Sequence, residues 1–206
     1  MLRRSCRDYD GLYQECIQAR DALIDTANKY RKKSNLPPID GLTNHSWQEV
    51  DEGVHSTCSE LEKIMAQDRR KATGSIGRLR EAFRALCRHA GIGQTVLSLI
   101  PGDAFGFSTS LCAGFKVIFT AMQQTALYRD ELLRALAEIP YLIKDSSELC
   151  SSLIFQDDSD LHQRRADLLT AVFQALRHIL FWFVKNSFGK LHVIFLALSP
   201  EAAKLD

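Results

Sequence analysis

"AFGFSTSLCAGFKVIF", Ala104 to Phe119, carries a single charge, Lys116, in a run of glycine, small polar residues and phenylalanine. Three structures accommodate such a composition: a phosphate-binding loop closing on Gly114-Phe115-Lys116, a membrane-inserted segment, or a helix enclosed by its neighbours. A phosphate loop needs G-x-x-x-x-G-K-[ST], because backbone N–H groups surround the phosphates, the lysine reaches them and the hydroxyl binds magnesium. Here Gly106 and Gly114 are too far apart, Phe115 separates glycine from lysine, and Val117 stands where the hydroxyl belongs. A membrane span needs about 20 predominantly apolar residues. The window from Ala104 to Tyr128 is long enough, but Ser108, Thr109, Ser110, Thr120, Gln123, Gln124 and Thr125 are too many polar groups for a lipid-facing helix. The stretch therefore predicts the central helix of a bundle, from about Ala104 to Tyr128, with Asp103 as its cap. Gly106, Ala113 and Gly114 would admit close neighbours. Lys116 then needs either a stem that reaches the surface or an acidic partner such as Asp130, Glu131 or Glu138.

The chain has 206 residues, 46% hydrophobic and 25% charged, which is enough for one sizeable core. With a formal net charge of +1 no global field draws it to nucleic acid, so a charged partner would need a local patch. "MLRRSCRDYDGLY" lacks the apolar stretch of a secretory signal, which leads to the expectation of a cytoplasmic protein. The six cysteines form no CxxC pair and no zinc-ligand spacing, so they are expected to be free thiols packed as small hydrophobes.

All eleven phenylalanines lie at or after Phe83. Residues 1–72 accordingly read as charge-rich helices, a hairpin packed on a bundle built by residues 73–206, the two forming one structural domain. The first helix is expected from Asp8 to Lys33, on the apolar face Leu12, Cys16, Ala19, Leu23, Ala27 and Tyr30. "SNLPPIDG" stops it. Ser46-Trp47-Gln48-Glu49 has the form of a capping box and opens a helix to Lys71 through Val50, Val54, Cys58, Leu61 and Met65. "SIGRLREAFRALCRHAG" places Ile76, Leu79, Phe83, Leu86 and Cys87 on one stripe and closes on Gly91 as a cap. "IGQTVLSLIPG" is a short apolar helix or linker. "RDELLRALAEIPYLIKD" is amphipathic through Leu132, Leu133, Leu136 and Ile139, with a kink or break expected at Pro140. A long helix follows from Leu161 to Asn186, and "LHVIFLAL" reads as either a strand or a buried helix. The fold class is all-α, a bundle of about six to seven helices without a substantial sheet.

Candidate chemistry is sparse. "DDSD" (Asp157, Asp158, Ser159, Asp160) has the wrong spacing for a DDxxD magnesium motif and fails as a calcium loop, because Leu169 occupies the place of the bidentate glutamate. Asp160 reads as an N-cap. His55-x-x-Cys58 and Cys87-x-His89 are isolated metal half-sites, and there is no HExxH or GxSxG. These residues predict no enzyme, no metal and no cofactor. The densest basic run is Arg69, Arg70, Lys71, Arg78, Arg80, Arg84 and Arg88, a solvated face or a surface for an acidic partner.

The block from Arg78 to Ser152 resembles, as a whole, the helical N-terminal domains that precede NACHT or related STAND nucleotide-binding modules in fungal NLR-like proteins, including the Goodbye-type domains. The resemblance lies in the turn Leu99-Ile100-Pro101, the small-residue-rich Gly114-Phe115-Lys116-Val117-Ile118, and the polar helix from Tyr128 to Ile143. "RHILFWFVKNSFGKL" is similar to the family's next helix and "LALSPEAAKLD" to the start of its connector. The tryptophan that often opens the central helix is absent, and so is any phosphate loop, so a nucleotide-binding module would belong to a longer chain.

The resemblance implies a non-catalytic signalling or interaction domain of fungal immunity or non-self recognition, acting through a protein partner or self-association. The expected interaction surface is the aromatic set Phe181, Trp182, Phe183, Phe188 and Phe195, with the basic face Arg80, Arg84 and Arg88. Two other expectations compete with it: a membrane-perturbing cell-death bundle and, less favoured, a metal-dependent helical enzyme using Asp157, Asp158 and Asp160.

Overall fold

In a computed structural model that describes residues 11–40, 45–67, 74–91, 105–125, 130–151 and 159–198, the opening stretch is helical, and its helix runs Phe107–Thr125. Every residue from Phe107 to Met122 is buried except Thr109, Lys116 and Thr120, which fall on one line along the helix. A helix enclosed on all other sides can be apolar nearly all round, as this one is. The other described helices are α1 (Gln14–Lys33), α2 (Trp47–Gln67), α3 (Gly74–Gly91), α5 (Asp130–Ser151) and α6 (Ser159–Leu198), the central one being α4. No strand occurs among the described residues, and the fold is an all-α bundle.

Helix α4 packs against α1, α2 and α6, while α3 bridges α2 to α5 and α5 closes on α6. The first two helices lie on two flanks of α4: α1 packs on α4 and α6, and α2 on α4 and α3. Their apolar faces carry the reason, since Tyr13, Cys16, Leu23, Ala27 and Tyr30, and Val50, Val54, Cys58 and Leu61, all enter the same core as the later helices. Two aromatic groups hold these flanks. Tyr13, Phe105, Phe107 and Phe173 join α1, α4 and α6 at centroid distances of 5.4 to 6.0 Å. On the other side Phe83 meets Phe115 and Phe119 edge-on at 4.9 and 5.3 Å, and Trp47 lies 6.3 Å from Phe115. Such edge-to-face pairs add about 0.5–1.5 kcal/mol each beyond area burial.

Of the small residues on α4, Gly114 is the close-approach position: a Cβ there would stand 2.9 Å from Leu23 Cδ2 and 3.5 Å from Leu176 Cδ1. Gly106 serves differently, with φ of 63°, turning the chain into α4 in a conformation that favours glycine. Lys116 is answered by Glu49 of α2, Nζ to Oε2 at 3.4 Å, and not by the acids of α5. Both side chains are 42% exposed, so the lysine also reaches the surface.

Helix α5 runs through Pro140 without a break. The lost hydrogen bond is offset by Leu136, Ala137, Ile139 and Ile143, buried on both sides of the proline. "LHVIFLAL" is helical, as part of α6. That helix begins at Ser159, so Asp160 lies in its first turn, where its charge still meets the positive end of the helix dipole. "IGQTVLSLIPG", Asp103, Tyr128, Asp157 and Asp158 lie outside the described residues.

Candidate interaction surface

The aromatic residues of α6 divide by face. Phe183 is fully buried in the core, so it is a packing residue and not part of a surface. Phe181, two residues earlier, is 59% exposed, and among the described residues it shares that standing only with Leu142 of α5, at 50%. Trp182 is half-buried and packs edge-on against Phe183 at 5.0 Å. It also lines an open groove of 350 Å³ between α5 and α6, together with Glu131, Leu132, His178 and Ile179. The groove has an apolar floor of leucine, isoleucine and indole, and an acid and a histidine at its edge. The side chains of Phe188 and Phe195 lie outside the described residues.

The arginines of α3 make a different site. Arg80 and Arg84 line a cleft of 410 Å³ with Asp51, Glu52, Val54, His55 and Ser56 of α2. Arg80 Nη2 donates to Glu62 Oε1 at 2.9 Å, and this bond raises the guanidinium's pKa against the opposing effect of burial. Its Nε is buried without a hydrogen-bond partner. Arg84 and Arg88 are exposed, and Arg88 Nε donates to the Arg84 carbonyl at 3.3 Å. With two carboxylates and two guanidiniums in one cleft, this face offers an anion little net field.

At the start of α2 the Glu49 N–H donates to Ser46 Oγ at 3.3 Å, the serine half of a capping box. Burial raises the Glu49 pKa, but Lys116, the Ser46 N–H and His45 together outweigh it and hold the carboxyl below its ordinary range. His45 Nδ1 stands 3.6 Å from Glu49 Oε2.

Burial pushes the thiols up, Cys16 and Cys87 to about 12 and Cys58 to about 11, so at neutral pH they are protonated and poor nucleophiles. Cys58 faces the core, its Sγ 3.9 Å from the Ile76 carbonyl, while His55 is exposed, so that half-site is not assembled. No group of three or more potential metal ligands occurs among the described residues.

Sequence reading names Phe181 and Trp182 but not His178 and Ile179, one turn earlier on α6, nor Leu132, which reaches the groove only from the distant α5. It missed Glu49 as the partner of Lys116 for the same reason: the two are 67 residues apart. No protein-family model matches the chain, and neither a curated protein nor a solved structure is significantly similar to it.

Proposed function

We propose that this chain is a non-catalytic helical interaction domain, working in the manner of the N-terminal domains of fungal NLR-like receptors that its sequence resembles. The observation that carries this reading is the apolar α5–α6 groove floored by Leu132, Ile179 and Trp182, with Phe181, the chain neighbour of Trp182, exposed on the same helix. Exposed aromatic anchors next to an apolar recess are what protein partners bury first. A photo-crosslinking amino acid at position 181 is expected to give a protein adduct that the same label at the exposed Arg164 does not give, and that Trp182→Asp abolishes. Equal labelling at both positions would sink the reading.

One observation favours a second reading, a membrane-perturbing bundle. Within the helical stretch His162–Asn186 an 18-residue window has a mean hydropathy of 1.3, apolar enough to cross a bilayer, and 33% of that window is buried. On that reading the protein releases dye from liposomes, and Phe181→Asp weakens the release. Intact liposomes at high protein concentration rule it out.

A further inference from the structure

The cleft between α2 and α3 has walls of opposite charge. Arg80 and Arg84, one turn apart on α3, line it from one side, and Asp51 and Glu52 of α2 from the other, with the buried Val54 as its floor. Arg80 is already committed, through Nη2, to Glu62. Glu52 Oε1 accepts from Gln48 Nε2 at 3.1 Å, a neutral donor that leaves the carboxylate's charge uncancelled. The carboxylate of Asp51 and the guanidinium of Arg84 have no ion-pair partner among the described residues, although both border the same 410 Å³ of space. The walls that carry these charges are fixed from behind: Val50, Val54, Cys58 and Leu61 hold α2 in the core, and Ile76, Leu79, Phe83 and Leu86 hold α3. Core packing therefore sets the gap between the two backbones, and the charges are presented on rigid elements.

The volume is that of a small-molecule cleft. An anion alone gains Arg84 but faces two carboxylates, and a cation alone gains the carboxylates but faces two guanidiniums, so neither finds a net field to hold it. A molecule that carries both signs satisfies both walls at once, through charge-assisted hydrogen bonds stronger than neutral ones. We infer that the α2–α3 cleft binds a free α-amino acid with an apolar side chain. Its carboxylate takes two N–H donors from Arg84, its ammonium donates to Asp51 and Glu52, and its side chain lies on Val54. The α-amino acids place the two charges on one short backbone, which suits a cleft walled by the facing sides of two packed helices, and an uncharged side chain leaves the charge balance of the cleft intact. This cleft shares no residue with the α5–α6 groove and does not depend on the reading proposed for it.

Isothermal titration of the full chain with L-leucine is expected to show one site per chain with a dissociation constant below about 1 mM. Asp51→Asn and Arg84→Gln, neither in the core, should each weaken binding by about 10-fold or more, the effect of removing one partner of a charge-assisted pair. Arg164→Gln, at an exposed position of α6, should leave it unchanged. N-acetyl-leucine, which lacks the ammonium, and leucinamide, which lacks the carboxylate, should each bind the wild type about 10-fold more weakly than leucine, a comparison that does not depend on how any variant folds. The inference is overturned if leucine, valine, methionine and phenylalanine all fail to bind at about 10 mM. N-acetyl-leucine binding as tightly as leucine makes the arginines a plain anion site and overturns it too, as does leucinamide binding as tightly, which leaves the carboxylates a plain cation site. Binding that survives both Asp51→Asn and Arg84→Gln puts the ligand elsewhere on the molecule, and the assignment of this cleft fails.

Discussion

Phe181 and Phe183 show how much two residues of spacing decide. One is 59% exposed and the other fully enclosed on the same turn of α6. Phe183→Ala is expected to cost about 3–5 kcal/mol in urea unfolding, the usual loss for a core aromatic, whereas Phe181→Ala should stay within about 0.5 kcal/mol. Sequence reading grouped the two because both are phenylalanines in an aromatic run; only the angular position around the helix separates them. Glu49 makes a comparable point about charge. Its carboxyl is held below the ordinary range by Lys116, the Ser46 N–H and His45 against the effect of burial. Its folded pKa is depressed, so its contribution is present above the unfolded value of about 4.5 and is lost as pH falls through the folded one. The urea midpoint of the wild type should therefore fall more steeply with acidification below pH 4.5 than that of Glu49→Gln.

At the scale of the element, the helices were legible wherever a local signal existed. The capping box at Ser46 fixes the start of α2, and the apolar stripes of α1, α2 and α3 coincide with their buried faces. Packing decided what local signals left open: the continuity of α5 through Pro140 and, of the two forms open to "LHVIFLAL", the helical one. The end of α1 is local again, though no proline or glycine makes it. Asn35, at φ 55°, lets its own N–H donate to the Lys32 carbonyl at 3.3 Å and the Leu36 N–H to the Arg31 carbonyl at 2.8 Å. This is the Schellman pattern with asparagine in the left-handed position. Asn35→Gly is expected to raise stability by up to about 1 kcal/mol, measured by thermal or urea unfolding, because glycine adopts that conformation without a Cβ penalty.

Across the whole molecule the six described helices share one core, and its enclosed thiols give the fold a vulnerability on the alkaline side. Cys16, Cys58 and Cys87 ionise near 9 in an unfolded chain but near 11 to 12 in the folded one. A raised folded pKa means stability that is complete below the unfolded value and declines as pH climbs toward the folded one. The melting temperature should drop by on the order of 5 °C between about pH 9 and pH 11, and Cys16→Ala should flatten that decline. The bundle class could be read from sequence because periodicity is local; the order of packing could not, because the most extensive helix contact joins α1 to α6, the first and last helices described. That pairing also dictates timing. During synthesis α4 can cover part of the apolar face of α1, but the part that α6 covers stays open until α6 has left the ribosome, so α1 completes its packing only after the other five described helices have been made.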